Sequence, residues 1–233
     1  TKSNDYNVDI VTNYLLKKEG AMDEVKTKLT EGLNACDAKL GSHKITGQRF
    51  ISASVSSELW SSSAIALSLA MLAIFAYILL RFRKWDFALG ASVALLHDAL
   101  VVIAAFTLLN GLLPFSLEVN QNFIGAILTV VGFSINDTVV IFDRIREYLS
   151  GRKNAPIEGT INDALNSTLG RSINTSMTVL LTLLVMFIFG SDDIRGFCFA
   201  MIIGVISGVY STLFIASPIV VDMRNWANKK AEA

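Results

Sequence analysis

Charge is what this sequence has least of. Asp, Glu, Lys and Arg make up 17% of its 233 residues while apolar side chains make up 52%, against roughly 25% charged in a soluble domain. A chain so poor in charge is not expected to be a free globular protein. Net charge is also absent, with 20 basic and 20 acidic residues. Bulk electrostatics therefore give no reason to expect nucleic acid or an acidic partner, and any charge argument must be local. Cysteine is scarce: Cys36 and Cys198 are the two present, and Cys198 falls inside an apolar run. They predict two structural thiols rather than a disulfide framework. The N-terminus lacks a signal-type succession of basic, apolar and small residues and begins at Thr1. This predicts that the chain is part of a longer protein.

Long apolar runs are what the sequence has in abundance. A hydrocarbon core about 30 Å thick needs roughly 20 apolar residues in a helix. Five stretches meet or approach that length: Ser62 to Leu80, Phe87 to Leu109, Asn122 to Phe142, Ser172 to Phe189 and Phe197 to Val221. Trp60, Trp85 and Trp226 fall just outside these runs, where amphipathic rings favour the membrane interface. Basic residues are distributed unevenly. The connection after the first run holds Arg81, Arg83 and Lys84, and the one after the third holds Arg144, Arg146, Arg152, Lys153 and Arg171. The tail holds Arg224, Lys229 and Lys230, whereas the alternate connections hold only Arg195. Because Lys and Arg near span ends are retained on the cytoplasmic side, residues 1–61 are expected outside and the C-terminus inside.

The expected organisation is thus 1–61 outside, a five-helix membrane domain over 62–222, and a cytoplasmic tail over 223–233. In the outer part, Val11 to Leu33 has helical spacing, and His43 to Val55 alternates as a strand would, with Gly41 and Gly47 as breakers. Sixty residues is thin for an independent core, so this segment reads as the C-terminal part of a small α+β extracytoplasmic domain.

Each ionisable side chain inside a span costs at least about 2.5 to 3.5 kcal/mol on insertion scales and so requires a reason. Asp137 lies five residues inside Phe142, about 7 to 8 Å at the helical rise, too deep for a solvated loop acid. It is read either as a helix-helix hydrogen bond or as a proton acceptor. Arg171 opens the fourth run and reads equally as a topology anchor or as a partner for Asp137. His97 and Asp98 sit near the middle of the second run on neighbouring helix faces, as a proton relay or as packing hydrogen bonds. Asp143, Arg144, Arg146 and Glu147 read as a solvated charged mouth. Gly204 and Gly208, with Gly196, Ser207 and Ser211, form a small-residue face for close helix packing.

The run from Gly132 to Glu147, GFSINDTVVIFDRIRE, resembles the signature of the SecF family and of the SecF half of fused SecDF proteins. Support follows in register. Arg81 to Gly90 precede LLHD at Leu95 to Asp98, then come Arg171 with Thr175 and Ser176, Phe189, Gly190, Arg195 to Phe197, Gly208, Tyr210, Ser211 and Ala216 to Pro218. The resemblance covers roughly residues 50–222. It departs at Phe133, where Tyr is usual, and at Val55 to Leu59, which lack a common Gly-Pro.

The resemblance implies a mainly α, polytopic fold of the resistance-nodulation-division (RND) type, of which this chain has five spans and lacks the first. It matches Asp137 to an essential intramembrane aspartate and Arg171 to an essential arginine, with Asn136, Thr138 and Thr175 beside them. It implies a subunit that uses the proton-motive force to promote late steps of polypeptide translocation across the bacterial inner membrane, with protons as coupling ion and no cofactor. The implied partners are SecD, the SecYEG channel, the translocating unfolded polypeptide and membrane lipid. A small-molecule or lipid exporter of the same superfamily is the alternative, and a passive scaffold a further one. An intramembrane aspartyl protease is disfavoured, because Asp98 and Asp137 follow His97 and Asn136 rather than standing in Tyr-Asp and Gly-x-Gly-Asp contexts. The chain is therefore expected not to be an enzyme.

Overall fold

A computed structural model describes residues 22–35, 53–113, 115, 117, 119–152 and 155–232. The chain divides into two compact units, residues 1–62 and 63–233. In the first, α1 (Met22–Ala35) lies largely within the stretch expected to be helical. The expected strand is corrected at its end: residues 53–55 open helix α2 (Ala53–Phe82), because adding a residue to an existing helix costs far less than starting a new element. The rest of that strand, and Cys36, lie outside the described residues.

The second unit is a helical bundle. Its elements are the rest of α2, α3 (Trp85–Leu109), α4 (Gln121–Gly151), α5 (Ile157–Phe189), α6 (Asp192–Ser211), a π-helical turn (Thr212–Ala216) and α7 (Ser217–Glu232). Among the described residues, five stretches are long and apolar enough to cross a membrane, the last running through α6, the π turn and α7. Several helices overrun their expected spans. Helix α4 continues to Gly151, and α5 begins at Ile157, well before Ser172, so Arg171 lies in the body of a helix rather than at its entry.

Helix α6 is central, packed against α3, α4 and α5. In hydrocarbon the hydrophobic effect does not press helices together, so close packing and interhelical hydrogen bonds must do so. The buried stripes are accordingly small: Ala88, Ala91, Ala94 and Ala99 on α3, and Ala164, Thr168, Ser172 and Ser176 at strict four-residue spacing on α5. Contact is closest where glycine removes the side chain. A Cβ on Gly204 would land on the Val130 side chain, and one on Gly90 would sit 2.8 Å from the Ala216 carbonyl oxygen. The outward faces are apolar, with Leu69, Leu72, Leu80, Leu181 and Phe189 all exposed.

One end of the bundle collects the basic residues and ties the helices together. Arg81 of α2 reaches Asp143 of α4 at 3.1 Å, and Arg146 approaches the same carboxylate at 3.4 Å. Arg152 pairs with Asp163 across the α4–α5 connection. Asp143 is therefore an interhelical tie within the solvated charged cluster, its side chain 48% exposed. Asp86, in the first turn of α3, accepts from the Phe87 amide at 3.0 Å and from Arg224 Nε of α7 at 2.7 Å. The Arg224 guanidinium also lies over the Phe87 ring, which packs against Phe82 and Phe142.

Because the Gly204 contact is with a side chain of a packed neighbour, overpacking it costs about 1 to 3 kcal/mol. Gly204→Ala is expected to lower the melting temperature of the purified protein. Gly125→Ala, with nothing within 4 Å of the added methyl, should leave it unchanged or raise it. Equal melting temperatures for the two variants would show that α4 and α6 do not meet this closely.

Candidate intramembrane polar site

The carboxylates of Asp98 and Asp137, within the apolar spans, have contrasting surroundings. On α3, the spacing Ala91, Ala94, Leu95, Asp98, Val102 places Asp98 on the buried stripe, with 0% of its surface exposed. Three hydroxyls from two other helices converge on it. Ser134 of α4 donates to Oδ2 at 2.7 Å, Ser207 of α6 to Oδ1 at 2.7 Å and Ser211 of α6 to Oδ2 at 2.8 Å. Ser207 and Ser211 are four residues apart and so stack on one face of α6. The carboxylate thus joins α3, α4 and α6 at one point.

His97 was expected to point to a neighbouring face and away from Asp98. It does occupy the flank, its side chain 33% exposed, but the ring leans back so that Nδ1 lies 3.3 Å from Asp98 Oδ1. The imidazole also lies beside Tyr210, with ring centroids 6.1 Å apart.

On α4, Ser134 and Thr138 continue the inner stripe and Asp137 stands beside it, half-buried. Asp137 Oδ1 accepts from Ser172 Oγ of α5 at 2.7 Å, while Oδ2 is buried without a hydrogen-bond partner. Arg171 is exposed on the outer face of α5 and makes no ion pair with Asp137 among the described residues. Adjacent helical positions diverge by about 100°. Since Ser172 belongs to the small-residue stripe that faces α4, its neighbour Arg171 must turn outward. Thr138 is fully buried and shares a 2.8 Å contact with Thr212 Oγ1 of the π turn. Asn136 and Thr175 are exposed, and the Thr175 hydroxyl returns to the Arg171 carbonyl at 2.9 Å.

The structure therefore brings His97 to Asp98 and leaves Asp137 beside Ser172. The functional side chains that the sequence reading passed over are the hydroxyls. Ser207 and Ser211 appear there as small packing residues, and Ser172 only as the start of a span. Serines at four-residue spacing, in a chain whose other spans carry intramembrane acids, are the signal that points to them.

Membrane-length helices enclosing one sealed carboxylate and a second, half-satisfied one define a polytopic membrane protein with an ionisable interior. Residues 33–226 match the family described as protein export membrane protein SecD/SecF, C-terminal, and the chain belongs to that family. It is 45% identical over 210 residues to protein translocase subunit SecF of Rhodothermus marinus, covering 88% of this chain and 66% of that one. It is 38% identical over 229 residues to protein translocase subunit SecF of Synechocystis, covering 96% and 70%. Among solved structures it resembles SecDF in a super-membrane-facing form, with a TM-score of 0.72 and 28% identity, covering 88% of this chain and 27% of that one. SecDF of Thermus thermophilus, described as a translocon-associated membrane protein, matches at a TM-score of 0.70 and 30% identity, covering 85% and 27%. The chain thus spans about two thirds of the first relative's length and about a quarter of the solved chains.

Removing the Asp98 carboxylate strands the Ser134 and Ser207 hydroxyls, leaves Ser211 only the Gly208 carbonyl and opens a void, whereas removing Asp137 loses one hydrogen bond. Asp98→Ala is expected to cost about 3 kcal/mol or more and Asp137→Ala about 1 kcal/mol. Thermal unfolding of the purified variants checks this: equal losses would mean that Asp98 does not hold the three helices together.

Proposed function

We propose that this chain is the SecF-like membrane part of a Sec translocase assembly, in which proton movement through the spans promotes late steps of polypeptide export. The observation that carries the reading is Asp137 Oδ2, a buried acceptor without a partner in a bundle where the buried carboxylates of Asp86 and Asp98 have both oxygens engaged. A carboxylate so placed gains a proton at little structural cost and gives it up when a cation approaches. Arg171 is the nearby candidate. It sits one position from Ser172, the residue that bonds Asp137, so a modest rotation of α5 exchanges hydroxyl for guanidinium. In this scheme Asp137 binds the proton and the Asp137–Arg171 pair forms or breaks accordingly, with Asn136, Thr138 and Thr175 lining the route.

The energetics suffice. One charge crossing 100 mV is worth about 2.3 kcal/mol, which changes a two-state ratio by more than tenfold. The partners on this reading are SecD, as a separate or fused half, the SecYEG channel and the unfolded polypeptide, and no cofactor beyond protons is needed. The basic end of the bundle is placed on the cytoplasmic side of the bacterial inner membrane, with the N-terminal segment periplasmic and the C-terminus cytoplasmic. The names of the relatives support this reading over a small-molecule exporter.

Asp137→Asn keeps the shape and removes the titration. It is expected to abolish proton conductance of the assembly in vesicles and to reduce export to the level of a strain lacking the protein. Wild-type values for both would sink the reading.

A further inference from the structure

Asp98 has no part in that scheme, yet it is the most deeply buried acid among the described residues. An ionised carboxylate taken out of water costs several kcal/mol unless donors surround it. Its three serine donors meet that need. What sets this cluster apart from a fixed structural anchor is that a key donor has a second acceptor within reach. Ser211 Oγ lies 2.8 Å from Asp98 Oδ2 and 3.2 Å from the Gly208 carbonyl oxygen. If the carboxyl gains a proton, its new O–H donates to Ser211 Oγ while Ser211 turns its own hydrogen to Gly208. One proton arrives, one hydroxyl rotates, and no polar atom is left without a partner.

The slack continues beyond Ser211. Gly208 also accepts from Thr212 Oγ1 at 2.8 Å, and Thr212 Oγ1 lies 2.8 Å from Thr138 Oγ1, which reaches the Ser134 carbonyl at 3.0 Å. Either threonine can donate to the other, so this link also tolerates two arrangements. Here the backbone leaves α geometry, in the π turn Thr212–Ala216, where the amide and the hydroxyl of Ser217 both bond the Thr212 carbonyl. Such turns inside α-helices occur frequently at functional sites.

A route to the carboxyl is present as well. His97 is part-exposed on the flank with Nδ1 3.3 Å from Asp98 Oδ1, and imidazole is the side chain suited to pass a proton near neutral pH. The other groups facing Asp98 are uncharged: Ser134 from α4, and Ser207 and Ser211 from α6. Tyr210 lies against His97 rather than against Asp98, and Asp137, three positions from Ser134, is bonded to Ser172 of α5.

We propose that Asp98 is a second proton-binding site of the bundle, loaded through His97, and that its protonation loosens the grip of α3 and α4 on α6. Ionised, it accepts three hydroxyls and clamps the three helices. Protonated, it is a weaker acceptor for all of them, and the clamp relaxes on the side of α6. The site works whether or not Asp137 carries protons.

The test is infrared difference spectroscopy of the full-length protein in lipid across a pH step, reading the carboxylic C=O stretch. Asp98→Asn is expected to remove one carboxyl band that Asp137→Asn leaves in place. Since Asp98→Asn alters a packed site, Ser207→Ala and Ser211→Ala provide the control. Ser207→Ala keeps the band and moves it to higher wavenumber, because the carbonyl oxygen Oδ1 accepts one hydrogen bond fewer, and Ser211→Ala keeps the band and moves it because the carboxyl O–H loses its acceptor. His97→Gln should slow the rise of the band after a pH jump by roughly tenfold or more without changing its final size. PH-difference spectra that are identical for wild type and Asp98→Asn, or a band unmoved by both serine variants, would overturn the site. A full-speed rise in His97→Gln would overturn the loading route. Failure of the Asp137 reading would instead appear as unchanged conductance and export in Asp137→Asn, with the Asp98 band still present.

Discussion

A carboxylate in the middle of a hydrocarbon-spanning helix must find hydrogen-bond donors, and the packing of this bundle is arranged around that demand. Asp98 takes hydroxyls from α4 and α6, and to deliver them both helices must come close enough to α3 for a serine, the shortest of hydroxyl side chains, to reach. The small residues along α3 permit that approach, as does Gly208, where an added Cβ would sit 3.1 Å from the Ser134 side chain. One constraint thus sets the depth of a polar cluster, the register of three helices and the sizes of the residues between them. Lipid strengthens this logic, since exposed apolar faces such as that of α2 cost nothing there and hold nothing together.

The same bundle treats its second acid differently. Asp137 stands just off the inner stripe of α4, one oxygen bonded to Ser172 and the other buried without a donor. A fully engaged carboxylate and a half-engaged one are thus borne by helices that touch. At the basic end, Asp86 with Arg224 and Asp143 with Arg81 and Arg146 close the bundle where side chains can reach water.

Much of this was legible in the residues. The five apolar runs and the interfacial tryptophans predict a polytopic chain, and the Gly132–Glu147 run carries the family. The charged interior residues Asp137, Asp98 and His97 are visible because such residues are rare in spans. Less legible were the helix ends, since the polar turns of α4 beyond Phe142 and of α5 before Ser172 look like loop when hydropathy is the guide. The outward turn of Arg171 was hidden as well. A single residue of rotation separates a guanidinium bonded to Asp137 from one exposed beside it, and the packed stripe on α5 gives the hydrogen bond to Ser172 instead.

By itself the sequence determined the class of protein, because length, hydropathy and the cost of intramembrane charge depend on composition along one helix at a time. Tertiary structure alone decided which polar groups meet, since hydrogen bonding between helices depends on rotation and depth, which span length leaves free. That is why Ser207 and Ser211 pass for packing residues in the sequence, and Ser134 for one letter of the Gly132–Glu147 run, and all three emerge in the fold as the donors to Asp98. It is also why the π turn at Thr212–Ala216, set by how α6 continues into α7 over the polar cluster, has no counterpart in the hydropathy pattern.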